Sequence, residues 1–70
     1  MQARLTFPSR QMAQQFATDW GRHTLTGHSL GATKPSGETN VDLYGVNGEL
    51  REWITSKVRE INATLGKGAA

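Results

Sequence analysis

The chain has no cysteine. It therefore has no disulfide and no thiolate metal site. Neither staple is available to a domain of 70 residues. A domain of this size buries only roughly 60% of the surface its unfolded chain exposes. Stability must come from the core or from a partner subunit. The lack of cysteine also fits a reducing compartment. No run of 18 apolar residues occurs, so no segment is expected to span a membrane. The start, Met1-Gln2-Ala3-Arg4, lacks the apolar stretch of a signal peptide, and a cytoplasmic location is expected. Asn62-Ala63-Thr64 has the glycosylation-acceptor pattern, a coincidence in a chain without a secretion signal. Charge of one sign is also scarce. Eight basic and six acidic side chains leave a net charge of +2. Nucleic-acid binders cluster their Lys and Arg. Here Arg4, Arg10, Arg22, Lys34, Arg51, Lys57, Arg59 and Lys67 are spread along the whole chain.

What is present is a globular pattern. Apolar content is ordinary for a folded domain, which argues against intrinsic disorder. Residues 2–7 alternate, with Ala3, Leu5 and Phe7 on one side and Gln2, Arg4 and Thr6 on the other, the period of a half-buried strand. Pro8 stops it, and Ser9 is placed to cap a helix. Met12, Phe16 and Trp20 are spaced four apart, and Ala13 and Ala17 widen the stripe, which predicts a helix over 10–20 ending at Gly21. Residues 24–33 carry strand-like pieces in which Leu25 and Leu30 are out of phase, so a bulge or bend is expected near Gly27. Lys34 to Glu38 is a turn by composition. Residues 39–46 read as a further strand, in which Val41 and Leu43 alternate with Asp42 and Tyr44. Asn47 is placed to cap a second helix over 49–64, whose stripe is Leu50, Trp53, Ile54, Val58, Ile61 and Leu65. Phe16, Ile54, Val58 and Ile61 are expected to be nearly fully buried. Residues 67–70 read as a flexible tail after a single domain over 1–66.

Gly27-His28-Ser29-Leu30-Gly31 looks like the nucleophile elbow of lipases and thioesterases of the α/β-hydrolase family. The resemblance covers five residues and would make Ser29 the nucleophile. That family places its acid and its histidine after the serine. Both His23 and His28 precede Ser29, a Pro-Gly turn follows where a helix is required, and the chain is too short for the family's sheet. The reading is therefore a glycine-bent strand, and no enzyme activity is expected. A metal site from His23 and His28 would need Asp19 or Asp42 as a third ligand, at a spacing that fits no usual site. Gly66-Lys67-Gly68 is a fragment of a phosphate loop with no strand before it and no helix after it. Trp20 and Trp53 continue their helix stripes and read as core. No cofactor and no metal are expected.

The fold class predicted is α+β, in the order β-α-β-β-α. It is a three-stranded, mostly antiparallel sheet with the third strand central and both helices packed on one face. The other face is then open. It should carry Arg4, Thr6, Asp42, Tyr44 and part of the segment from Thr24 to His28, which makes Arg4, Thr6, Thr26, His28, Asp42 and Tyr44 the candidate partner-binding residues. The leading expectation is a small non-enzymatic protein-binding module, of the kind found among bacterial or phage accessory and inhibitor proteins. It would bind an unidentified protein, or a second copy as a homodimer, through the open sheet face or an edge. The alternative is a nucleic-acid-binding domain that stacks bases on the open face, where Tyr44 is the only aromatic.

Overall fold

The computed structural model describes residues 2–66. The predicted tail at 67–70 lies outside the described residues. The elements are β1 (Ala3–Phe7), α1 (Arg10–His23), β2 (His28–Thr33), β3 (Thr39–Leu43) and α2 (Gly48–Thr64), in the expected order. The sheet runs β1-β3-β2, and β3 is antiparallel to both neighbours, as expected. No helix among the described residues is long and apolar enough to cross a membrane.

Strand alternation decides which side becomes core. Leu5 pairs with Val41, Ala3 with Leu43 and Phe7 with Thr39, so these side chains share one face. Phe7, Val41 and Leu43 are fully buried there. Thr39 joins them because its hydroxyl is satisfied, donating to the Gly37 carbonyl at 3.2 Å with the Thr33 hydroxyl 3.0 Å away.

α1 begins where Ser9, in extended backbone, accepts the Met12 N–H on its Oγ at 3.3 Å. Its stripe of Met12, Ala13, Phe16, Ala17 and Trp20 is buried throughout. The small alanines let the helix axis come close to the strands, and α1 approaches all three. α2 begins at Asn47, whose Oδ1 accepts the Leu50 N–H at 2.9 Å. It lies alongside α1. The Trp53 ring meets Phe16 at 5.7 Å and Trp20 at 5.8 Å, both edge-on, a favourable aromatic arrangement. Ile54 and Ile61 complete the core, whereas Val58 is half-buried rather than enclosed. Ile54 and Ile61, one helix face apart by seven residues, take the inward line and leave Val58 at its margin.

Three boundaries differ from expectation. β3 ends at Leu43 rather than Val46, because Gly45 at φ +70° takes the chain out of extended backbone. α1 does not stop at Gly21 but runs to His23. The penalty of a mid-helix glycine is about 1 kcal/mol. It is opposed by the His23 ring stacked on Trp53 at 4.5 Å and 7° and by the Thr24 N–H donating to the Trp20 carbonyl at 3.0 Å. β2 begins at His28 rather than Thr24, because the threonines fold 24–27 into a turn: the Thr26 N–H donates to Thr24 Oγ1 at 3.3 Å. The bulge lies beyond Leu30, where Gly31 and Ala32 together face Asn40, and not near Gly27. The out-of-phase Leu25 is thereby explained. It is not a strand residue, and its side chain is fully exposed.

The turn is held against the loop after β3. Gly45 has φ +70°, and a Cβ there would lie 2.9 Å from Thr26 Cγ2, so only glycine fits. One buried side-chain polar atom among the described residues has no hydrogen-bond partner, the Trp20 indole Nε1.

Phe16→Ala is predicted to cost about 3–5 kcal/mol, comparable to the whole stability of a domain this small. Trp20→Phe keeps a ring while deleting an orphaned N–H that itself costs about 1–3 kcal/mol. It should therefore cost less than about 2 kcal/mol. Urea denaturation followed by circular dichroism checks both; a folded, stable Phe16→Ala protein contradicts the core described above.

Candidate interaction surfaces

The open face is built from two cross-strand pairs. Arg4 stands opposite Asp42 in register, and its Nε donates to Oδ1 at 2.7 Å while Nη2 reaches Oδ2 at 3.4 Å. Thr6 stands opposite Asn40, and its hydroxyl donates to Oδ1 at 2.8 Å. Within these two pairs the polar side chains satisfy one another. The Arg4 guanidinium holds the Asp42 carboxyl below the usual carboxylate range by hydrogen bond and charge, and the same contact raises Arg4. Tyr44 flanks them with its ring partly exposed, and a shallow concavity of about 430 Å³ lies among Gln2, Ala3, Arg4, Asp42 and Tyr44.

Of the six candidate residues, Arg4, Thr6, Asp42 and Tyr44 sit on or beside this face. Thr26 and His28 do not join them. Thr26 is in the turn with its methyl against Gly45. His28 pairs with Leu43, a core-side residue, so it projects to the helix side of the sheet. Its ring lies next to Gly21 of α1: a Cβ on Gly21 would be 3.7 Å from His28 Cε1. Ser29 is the β2 residue that faces the open side, opposite Asp42. Consecutive strand residues point to opposite faces, so Ser29 and His28 are separated by the sheet itself, and Ser29 sits within a strand instead of at a strand-to-helix elbow.

The residues considered for a metal site are likewise apart in role. His23 stacks on Trp53, Asp42 is bound by Arg4, and Asp19 accepts from Gln15 Nε2 and lies 3.6 Å from Lys57 Nζ. No group of three His, Asp or Glu among the described residues is placed to hold a metal ion.

The second surface is the free edge of β2. The Tyr44 N–H donates to the Gly27 carbonyl at 3.0 Å, in register with the β2–β3 pairing. In an antiparallel ladder, hydrogen-bonded and non-hydrogen-bonded pairs alternate. Gly27 and Ser29 therefore turn their backbone groups to β3, and His28 and Leu30 turn theirs outward. Beside this edge runs a groove of about 470 Å³ between β2 and α1, lined by Gln14, Ala17, Thr18, Gly21, His28 and Leu30. Apart from the His28 imidazole, nothing along it is ionisable. Leu25 stands exposed at one end, and at the other Arg10 Nη1 donates to Thr33 Oγ1 at 3.4 Å. Sequence reasoning placed this edge but missed the helical side of the groove. The available signal was that Gln14, Thr18 and Gly21, which share a helix face, are all uncharged.

No protein-family model matches the chain, and no curated protein or solved structure matches it closely enough to lend it a function.

The Arg4–Asp42 pair generates a pH prediction. Because the folded state lowers the Asp42 pKa, the pair stabilises the fold above the ordinary carboxylate value of 3.8, and that contribution is lost as pH falls through the lower folded value. Both partners are solvent-exposed, so the effect is small. Asp42→Asn should lower the melting temperature slightly at neutral pH, and the difference from wild type should shrink as pH falls below 3.8 and close as the wild-type carboxyl is protonated at its lower folded value. A difference that persists unchanged in acid contradicts the assignment.

Proposed function

We propose that this chain is a small non-enzymatic protein-binding module that takes an extended segment at the free edge of β2. The observation that carries this reading is the outward-turned backbone of His28 and Leu30 beside the uncharged α1 groove. Unpaired N–H and C=O groups along a strand edge are a template for another strand. In strand addition the main-chain bonds supply affinity, and pockets for alternate side chains supply selectivity. The groove is such a pocket, on the side of the sheet where alternate residues of an added strand would point. Depletion of charge is the compositional mark of the centre of protein interfaces, and this flank has it. Native edges are commonly blocked by lysine, proline or inward charge. Here β2 carries none of these, and its only regularity-breaking feature is the bulge at Gly31 and Ala32.

The open face supports binding less well. Arg4 is occupied by Asp42 and Thr6 by Asn40, so a partner would have to break bonds already made. The same occupancy weighs against nucleic acid, which would need free cations for phosphate and more than Tyr44 for stacking. A module of this kind suits an accessory or inhibitory role, and its cysteine-free chain suits the cytoplasm.

The test is a map of where peptides bind. Heptapeptides selected on the purified protein from an unbiased displayed library should, when titrated into labelled protein, shift the amide resonances of His28–Thr33 and the α1 residues Gln14, Thr18 and Gly21. Shifts centred on Arg4, Thr6, Asp42 and Tyr44, or failure to select any binder, contradict the edge reading.

A further inference from the structure

We propose that the strand received by β2 is the β2 strand of a second copy of this chain, antiparallel and centred on Ser29. This inference rests on the edge reading above and names its partner. The regular part of the edge is short. It contains two outward-turned residues, His28 and Leu30, with Ser29 between them, and the bulge ends it. A two-fold axis through Ser29 sets His28 opposite the partner's Leu30 and Leu30 opposite the partner's His28. Each of these is then a hydrogen-bonded pair, and every outward group of the regular segment is matched. Centring on Leu30 instead would set His28 opposite the partner's Ala32, inside the bulge, where the alternation that presents backbone groups outward is broken. The Ser29 register is therefore the one the strand can complete with itself.

Side chains agree with this register. No side chain faces its own copy except Ser29, whose hydroxyl can both donate and accept. On the helix side, His28 lies beside the partner's Leu30. An axis perpendicular to the sheet keeps both helix layers on the same side, so the two grooves merge along Gln14, Thr18 and Gly21 of each copy. Those residues carry no charge, and a surface with no charge meets its own copy without repulsion. The other edge, β1, is less suited: Arg4 flanks it and Pro8 ends it.

The register makes a specific demand at Ser29. In antiparallel pairing the Ser29 pair is non-hydrogen-bonded, with Cα atoms about 4.5 Å apart, the closest side-chain approach in a sheet. Like charges there repel and opposite charges attract. Ser29 lies on the exposed face, so substitution leaves the monomer core untouched; circular dichroism confirms folding of each variant. Solution mass is measured by light scattering over a concentration series for wild type, Ser29→Lys, Ser29→Glu and an equimolar mixture of the two variants. Wild type should self-associate. Each variant alone should dissociate at a concentration roughly two- to fivefold higher, and the mixture should recover association at or above the wild-type level. His28→Pro, which removes an outward N–H without touching the β3 ladder, should weaken association in the same way. A wild type that stays monomeric to millimolar concentration overturns the inference, as does association insensitive to the Ser29 charges or a mixture that fails to recover. If the wild type is monomeric while selected peptides still map to His28–Thr33, the second-copy inference falls alone; if the peptides map elsewhere, both readings fall.

Discussion

Phe16 is the point on which both helices and the sheet converge. Its ring lies 5.4 Å from Phe7 of β1, 6.3 Å from Trp20 one turn along α1 and 5.7 Å from Trp53 of α2. Four of the chain's aromatics are gathered in this cluster, and Tyr44 alone lies outside it. Aromatic side chains bury more apolar area than any others, which matters most where there is neither disulfide nor metal. The cluster also sets the geometry. With Phe16 pressed towards the sheet, Ala13 and Ala17 beside it let α1 lie low across the strands. α2 is then left to lean on α1 through Trp53. The cluster tolerates an unpaired indole N–H on Trp20 because the ring around it contributes more than that group costs.

The distribution of charge follows from this packing. Lys57 is drawn to the α1–α2 seam, where it pairs with Asp19 and Glu60 and sits 5.6 Å over the Trp53 ring. Lys34 and Glu38 pair across the β2–β3 turn, and Arg4 and Asp42 across the open face. Exposed pairs of this kind contribute little stability. Their significance is where they put charge, and where they leave none. The groove between β2 and α1 is lined without Lys, Arg, Asp or Glu, with Arg10 at its end, and β2 is one of the two edges of the sheet. An uncharged groove and unpaired backbone occur together there, and the functional proposal is built on that coincidence.

Elements with a clean period were legible from the sequence. Both helix N-caps, both apolar stripes and the alternation of β1 and β3 are local patterns. The strand order was not fixed by any local pattern, because an edge strand and a central strand covered on one face alternate alike. What sequence could not supply was the outcome of competition between local and tertiary preferences. Gly21 reads as a helix end, but His23 finds Trp53, and the helix continues. The segment at Thr24 reads as strand, but the Thr24 hydroxyl captures the Thr26 N–H and closes a turn. Moving the strand start to His28 put His28 itself on the helix side of the sheet and Ser29 on the open side, because strand side chains have a period of two. The candidate site shifted for the same reason: four of its residues remained on or beside the open face, where Arg4 bonds to Asp42 and Thr6 to Asn40, and the outward-turned groups of β2 are backbone, which no side-chain pattern announces.

The central claim is that β2 is a free edge whose outward amides alternate with paired ones. Residue-resolved amide hydrogen exchange on dilute protein tests it most directly. The account predicts a protected Ser29 amide flanked by fast-exchanging His28 and Leu30, both of which become protected as concentration is raised. Equal protection at all three positions in dilute solution, or a fast Ser29, would contradict it.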